Sequence, residues 1–250
     1  MYRFLLRPKW IMFHIAIATA AIAMLYLAAW QFGKYQDRND FRSMVAAREA
    51  AEPQPLQPLL AAKQQPSAIE WFRVTATGRY LTDRQLREIN VSQGGVVGAN
   101  IVTAFQVDGG PLLVVNRGFL GDAQPVPQPL AGPIVIGGRA RTFETRRTGE
   151  LSDDGSSDND EIRRIDLAVV QQRFGHDVAP VYIDLIASKP AQGPSPVPVP
   201  APSLEGGPPH LSYTFQWIIF SICALAGWVF AVRRSARNRL ALTVIGERAP

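Results

Sequence analysis

WIMFHIAIATAAIAMLYLAAWQF (residues 10–32) and LSYTFQWIIFSICALAGWVFAV (residues 211–232) decide what kind of protein this chain is. Neither run holds an Asp, Glu, Lys or Arg over its 23 and 22 residues. About 20 apolar residues, each rising ~1.5 Å along a helix, cross a hydrocarbon core of roughly 30 Å. Both runs therefore read as transmembrane helices. The first is long for the core of a cleaved signal peptide. It also continues through Ala28-Ala29-Trp30-Gln31 without a helix breaker, so it is expected to stay on the chain.

Charge supplies the orientation. The formal charge of +5 and the pI near 9.7 suggest a nucleic-acid binder until the charge is divided by segment. Residues 1–10 carry three basic residues and no acid, and residues 233–250 carry five Arg and one Glu. Residues 33–212 carry 18 basic and 20 acidic residues. Binding a phosphate backbone needs a basic body, which this chain lacks, so a nucleic-acid partner is excluded. Arg3, Arg7 and Lys9 before the first run place the N-terminus on the cytoplasmic side of the plasma (inner) membrane. Arg233, Arg234, Arg237 and Arg239 after the second run place the C-terminus there too. The organisation expected is a cytoplasmic N-terminus (1–9), a first span (10–32) and an extracytoplasmic domain (33–189). A Pro-rich linker (190–209), a second span (210–232) and a basic cytoplasmic tail (233–250) complete it.

Between the spans, residues 36–51 lack Gly and Pro and extend the first helix until Glu52-Pro53-Gln54-Pro55 stops it. Strand-like runs follow at Ile69–Tyr80, Leu86–Val91, Val96–Val107, Leu112–Leu120, Ile134–Phe143 and Val181–Ala187. Gly109-Gly110-Pro111 joins two of them as a hairpin. Asp166–Phe174 reads as a short helix with Asp166 as N-cap and Gly175 as stop. The fold class is thus a membrane protein whose two transmembrane helices flank a β-rich (α+β) domain. That domain is a small antiparallel barrel or sandwich with one or two helices. Residues 190–209 hold eight Pro and read as an extended segment, either a plain tether back to the membrane or a strap on a partner.

Candidate chemistry is sparse. A single cysteine, Cys223, excludes an intrachain disulfide, a cysteine zinc site and an iron–sulfur cluster. No hydrolase, kinase or dinucleotide motif is present, which argues against an enzyme. The acidic loop 152–161 reads as a surface loop or a weak cation site, without the register of a calcium loop. His14, inside the first span, either bonds a neighbouring helix or ligates a metal or haem. His176, beside Asp177, reads as a surface residue. His210 opens the second span and shares one helical face with Tyr213, Thr214 and Trp217. That face is either an interfacial cap with belt aromatics or an axial imidazole with an aromatic floor. Arg117 either closes an internal ion pair or holds a carboxylate such as a haem propionate.

Four stretches resemble one family. Ala29-Trp30-Gln31 followed by Lys34 resembles the end of the first span in the surfeit locus protein 1 family. Gly78-Arg79-Tyr80 resembles its G-x-[FY], and Asn116-Arg117-Gly118-Phe119 resembles its V-x-R-G-W strand, with Phe119 where Trp is usual. Pro209-His210-Leu211-Ser212-Tyr213-Thr214-Phe215-Gln216-Trp217 is similar to its N-H-L-x-Y-A-x-x-W signature, and is the most specific of the four. The resemblance covers nearly the whole chain, and the Ala-, Arg- and Pro-rich composition fits an actinobacterial member.

The resemblance implies assembly, not turnover. Its members help build haem–copper cytochrome c oxidases, chiefly subunit I. The implied role is an assembly factor or accessory subunit, a membrane scaffold during or after haem insertion. Its implied partners are oxidase subunits, a respiratory supercomplex and the lipid bilayer. The alternative it implies is a haem a carrier, with His210 on the iron, Tyr213 and Trp217 against the macrocycle and Arg117 on the propionates. A generic envelope scaffold remains the third reading.

Overall fold

The computed structural model describes residues 3–62, 65–150, 160–175, 177–204 and 206–246. It divides into two units, Met1–Ser43 with Ser203–Pro250, and Met44–Pro202.

The first unit is a helix pair. Helix α1 runs Pro8–Ala50 and, as expected, continues unbroken past the apolar run. The last helix, here α5, runs His210–Gly246. Pro8 opens the first, where a missing N–H costs nothing, and Pro208-Pro209 precede the second. Both are long and apolar enough to cross a membrane. Their burial is inverted relative to a soluble protein. Met12, Ile22, Tyr26, Phe215, Ile222 and Phe230 are exposed, while the small side chains of Ala21, Ala28, Thr214 and Ser221 are buried. Ala21 and Ala28 are seven residues apart, and so are Thr214 and Ser221. That is the period of two helices packed at a shallow left-handed crossing. Small residues in such a seam let the backbones approach where lipid offers no hydrophobic drive.

The second unit is a small barrel. After α1, a two-residue strand β1 (Gln54–Pro55) and two short helices, α2 (Leu56–Ala61) and α3 (Pro66–Ile69), lead into β2 (Arg73–Gln93). Strands β3 (Val96–Val107), β4 (Leu112–Gly121), β5 (Ile134–Thr142) and β6 (Glu161–Ile162) follow, then α4 (Leu167–Phe174) and β7 (Val178–Lys189). The sheet order is β1-β2-β3-β4-β7-β5, and β5 pairs back onto β2 from Arg73↔Arg139 to Gly78↔Ile134. The ring β2-β3-β4-β7-β5 is therefore closed. Its interior is apolar: Val74, Phe105, Leu113, Ile136, Ile183 and Leu185 are all buried. A second apolar cluster lies on the outer face of the sheet. There Val102, Val114 and Tyr182 pack under Val170 and Phe174 of α4.

Several sequence expectations are met closely. Val96–Val107 is a strand with those bounds, and the β3–β4 pair is antiparallel. Asp166 caps α4 by accepting from the Ala168 N–H, and Gly175 ends it. Three details differ. Ile69 belongs to a helical turn, and the chain enters β2 through Trp71, at φ 68°. The runs 69–80 and 86–91 form one strand, because the polar residues between them are absorbed by a register shift between Tyr80 and Gln85 instead of a turn. The barrel is mixed: β4 and β7 are parallel, joined by a crossover that carries β5, β6 and α4.

The Pro-rich segment is not a plain tether over its first half. Val197 forms a two-way bridge with Phe119, its N–H donating at 2.9 Å and its carbonyl accepting at 2.7 Å. Gln192 Nε2 donates to the carbonyls of Arg117 at 3.0 Å and Pro196 at 3.1 Å. The segment lies on the domain's own β4, at the stretch β7 leaves unpaired.

Candidate functional site

His210 sits in the first turn of α5, and its Nδ1 lies 2.7 Å from Gln31 Oε1 on α1. With that oxygen accepting, Nδ1 is the donor of this bond and Nε2 is the ring nitrogen left out of it. The backbone carbonyl of His210 accepts from Thr214 Oγ1 at 2.9 Å, which fixes the turn. Beside it, Leu25, Ala28, Phe32, Leu211, Phe215 and Ile218 help line an apolar cleft of about 390 Å³ between the two helices. Tyr213 and Trp217 do not line that cleft. Tyr213 is exposed, and Trp217 stacks edge-on against Phe220, with ring centroids 6.0 Å apart.

The other His of the pair has a matching bond. Trp228 Nε1 donates to His14 Nδ1 at 2.8 Å. His14 thus bonds the neighbouring helix, one of its two expected roles. Gln31 and His14 are 17 residues apart on α1, or about 25 Å by helix rise, so the two clasps mark opposite ends of the seam.

In the barrel, two stretches the sequence left apart come together. Tyr80 packs against Phe105 at 5.1 Å, and Arg117 lies over the Tyr80 ring at 5.7 Å. Gly78 is required because a Cβ there would meet the Gln106 carbonyl. Burial holds the Tyr80 hydroxyl up at about 12, despite the cation beside it. Residues 116–119 each have a separate task. Asn116 Nδ2 donates to Asp184 Oδ1 at 2.9 Å. Arg117 is buried and donates to Gln85 Oε1 at 2.9 Å, the Pro127 carbonyl at 3.0 Å and the Gln128 carbonyl at 3.4 Å. Gly118, at φ +126°, leaves room for the Val197 carbonyl, and Phe119 bridges to Val197. Arg117 thus spends both terminal nitrogens on internal bonds. Burial also lowers its affinity for its proton.

A buried polar row crosses the outer face of the barrel. Asn100 Nδ2 donates to Glu88 Oε2 at 2.8 Å, and these residues face each other across β2 and β3. Beyond a bulge, Asn116 faces Asp184, and Asp184 faces Arg139. Arg141 bonds Asp184 at 3.2 Å while stacking on the Trp71 ring at 4.1 Å. Arg139 is paired with Glu49 from the last turns of α1. Burial pushes the Glu88 carboxyl up to about 7, against the Asn100 hydrogen bond and with help from Glu144 and Asp184. Burial likewise raises Asp184, which Arg141 and Asn116 partly offset. Among the described residues, no set of three or more His, Cys, Asp or Glu converges to hold a metal ion.

The model of the SURF1 family matches residues 18–222, from the first apolar helix through the barrel into the second. The chain belongs to the SURF1 family. It is 33% identical over 251 residues to an uncharacterized SURF1-like protein of Mycobacterium tuberculosis, covering 94% of this chain and 88% of that one. The Mycobacterium bovis counterpart matches equally. A SURF1-like protein of Monosiga brevicollis is 27% identical over 242 residues, covering 91% and 90%. The SURF1 family is linked to cytochrome c oxidase assembly, not to catalysis.

Within this SURF1-family chain, sequence reasoning missed the partners more than the residues. Gln31 is a polar residue at the end of one apolar run and Trp228 an aromatic residue in the other, yet nothing local in sequence ties them to His210 and His14. Glu88 carried no signal beyond alternation on an apolar strand, where an acid on the covered face is itself the anomaly. His176 and residues 151–159, which hold most of the acidic loop 152–161, lie outside the described residues.

Proposed function

We propose that this protein is an integral-membrane assembly factor or accessory subunit of a haem–copper cytochrome c oxidase. It acts as a scaffold during or after haem insertion into subunit I, from within a respiratory supercomplex or beside it. Both termini are cytoplasmic and the barrel is extracytoplasmic, as the basic residues flanking each span direct. One observation carries the reading. The residues that define the family resemblance are spent on architecture: Gln31 on His210, Tyr80 under Arg117, Gly118 against Val197. Such a protein works by shape and placement. The test is isolation of the tagged chain in a mild detergent, with identification of its companions and an optical spectrum. Oxidase subunits in near-equal amount support a resident subunit, and substoichiometric subunit I supports a transient factor. A lone colourless protein in a strain with normal oxidase would leave the envelope-scaffold reading instead.

A second reading is favoured by one geometric fact. Gln31 holds His210 through Nδ1 and leaves Nε2 out of that bond, while the neighbouring Leu211 and Thr214 line an apolar cleft. A hydrogen-bonded imidazole next to an apolar surface is what an axial haem ligand needs. The fit is partial, since Tyr213 and Trp217 stand off the cleft and Arg117 is consumed inside the barrel. In this reading His210 would hold haem a and Gln31 would orient the ring. The group itself would supply the iron that subunit I later receives. A Soret band that survives purification, disappears in His210→Ala and shifts in Gln31→Leu supports it.

A further inference from the structure

The far end of the helix pair, roughly 35 Å along α5 from the Gln31–His210 clasp, carries a basic pocket. Arg233, Arg234 and Arg237 line one cavity of about 490 Å³ together with Phe230 and Asn238. Arg233 and Arg237 are four residues apart, and Arg234 and Arg237 three, so the guanidinium groups share one helical face. Phe230 stands one turn below them, 65% exposed. Across the seam, Arg7, Pro8, Lys9 and Trp10 line a second cavity of about 500 Å³. Between the two, Lys9, Trp10, Phe13, Ala231 and Ser235 line a groove of about 390 Å³.

The sequence offers these cations little counter-charge, with Glu247 the one acidic residue of segment 206–250. No Asp or Glu occurs from residue 1 to 36 or from 206 to 246. Among the described residues, five cations at one end of two apolar helices thus have no acidic partner on those helices and are open to an external anion. Three features restrict its chemistry. Adjacent guanidinium forks suit the oxygens of a phosphate, which they bind in pairs. The exposed Phe230 and the groove floored by Trp10, Phe13 and Ala231 suit a hydrocarbon chain below that phosphate. The place is the water boundary of two membrane-crossing helices, where basic pockets between helices take anionic headgroups.

We infer that this end of the helix pair is a binding site for an acidic phospholipid. Its phosphate lies on Arg233, Arg234 and Arg237, and an acyl chain lies along Phe230 and the neighbouring Trp10–Phe13 groove. The assignment needs only that the helices lie in a membrane and is independent of the oxidase reading.

The experiment is native mass spectrometry of the detergent-purified full-length protein titrated with phosphatidylglycerol, phosphatidylcholine and inorganic phosphate. Phosphatidylglycerol is expected to be retained at least tenfold more tightly than phosphatidylcholine. The variant R233Q/R234Q/R237Q is expected to lose that preference, while R146Q/R147Q on the barrel keeps it. Equal retention of the two lipids by the native chain overturns the proposal, whatever the variants do. So does displacement of the lipid by inorganic phosphate at comparable concentration, which would make this a free-anion site. An unchanged preference in the triple variant overturns it as well.

Discussion

In the helix pair, two hydrogen bonds, Gln31 to His210 and Trp228 to His14, join helices that meet through Ala21, Ala28, Thr214 and Ser221. In the barrel, Glu88, Asn100, Asn116, Asp184, Arg139 and Arg141 form a row of charge and amide under a covering layer. Both regions hide polar groups from water, but against different alternatives. Helices that separate in lipid still find other partners for a freed His or Trp, so each bond there is worth little, about 0.6 kcal/mol on average. A barrel group that loses its partner stays buried and desolvated, and the loss runs to several kcal/mol. The same kind of contact is a fine adjustment in one region and a structural necessity in the other.

The largest effect that would sharpen this contrast is expected at Gly118. Its φ of +126° and the Val197 carbonyl leave no place for a side chain. Gly118→Val combines backbone strain with overpacking, about 4 kcal/mol together. Urea unfolding of the purified protein, followed by barrel tryptophan fluorescence, should show the loss. A midpoint within error of wild type would mean the segment 190–198 does not rest on β4. Next comes Asp184→Ala, which takes the acceptor from Asn116 Nδ2, leaves Arg141 with only Glu70 and the Trp71 ring, and should cost about 3 kcal/mol by the same measurement.

Glu88 tests the row through pH. Its folded carboxyl titrates near 7, above its ordinary 4.5, so the folded state holds the proton more tightly than the unfolded one. Its contribution is therefore whole below about pH 4.5 and is lost as pH rises through about 7. At 1.36 kcal/mol per pH unit, the loss is roughly 3 kcal/mol at most. Glu88→Gln should flatten the fall in melting temperature between pH 5 and 7.5. A fall as steep as wild type would show that Glu88 is not the group responsible. The smallest effect is expected in the helix pair: Trp228→Phe should cost about 0.6 kcal/mol in a helix-separation assay in lipid. A loss as large as that of Asp184→Ala would break the comparison outright.

How much of this was legible beforehand follows the same division. The spans could be read because they depend on composition over 22 or 23 residues, and β3 and the Asp166 cap because they depend on neighbours in sequence. The closure of β5 on β2 and the parallel β4–β7 pair join residues about 60 positions apart, and alternation alone says nothing of that. Residue types at the candidate site were readable, yet their tasks were not. Arg117 has the chemistry of a propionate ligand and becomes an internal strut only once Gln85, Pro127 and Gln128 surround it. Gly118 read as part of a motif, but its purpose lies 79 residues downstream at Val197.

The bridge from Phe119 to Val197 also settles what this domain can offer a neighbour. Strands 2, 3, 4, 7 and 5 consume one another's backbone donors around a closed ring, and where β7 turns away from β4 the proline-rich run occupies the vacant rail. A second molecule finds no strand there to extend. Along that rail, copies crowded in the same membrane are protected from sticking edge to edge. Whatever docks along this stretch of β4 must recognise it by side chains, or must first lift the residues around Val197 and take their place.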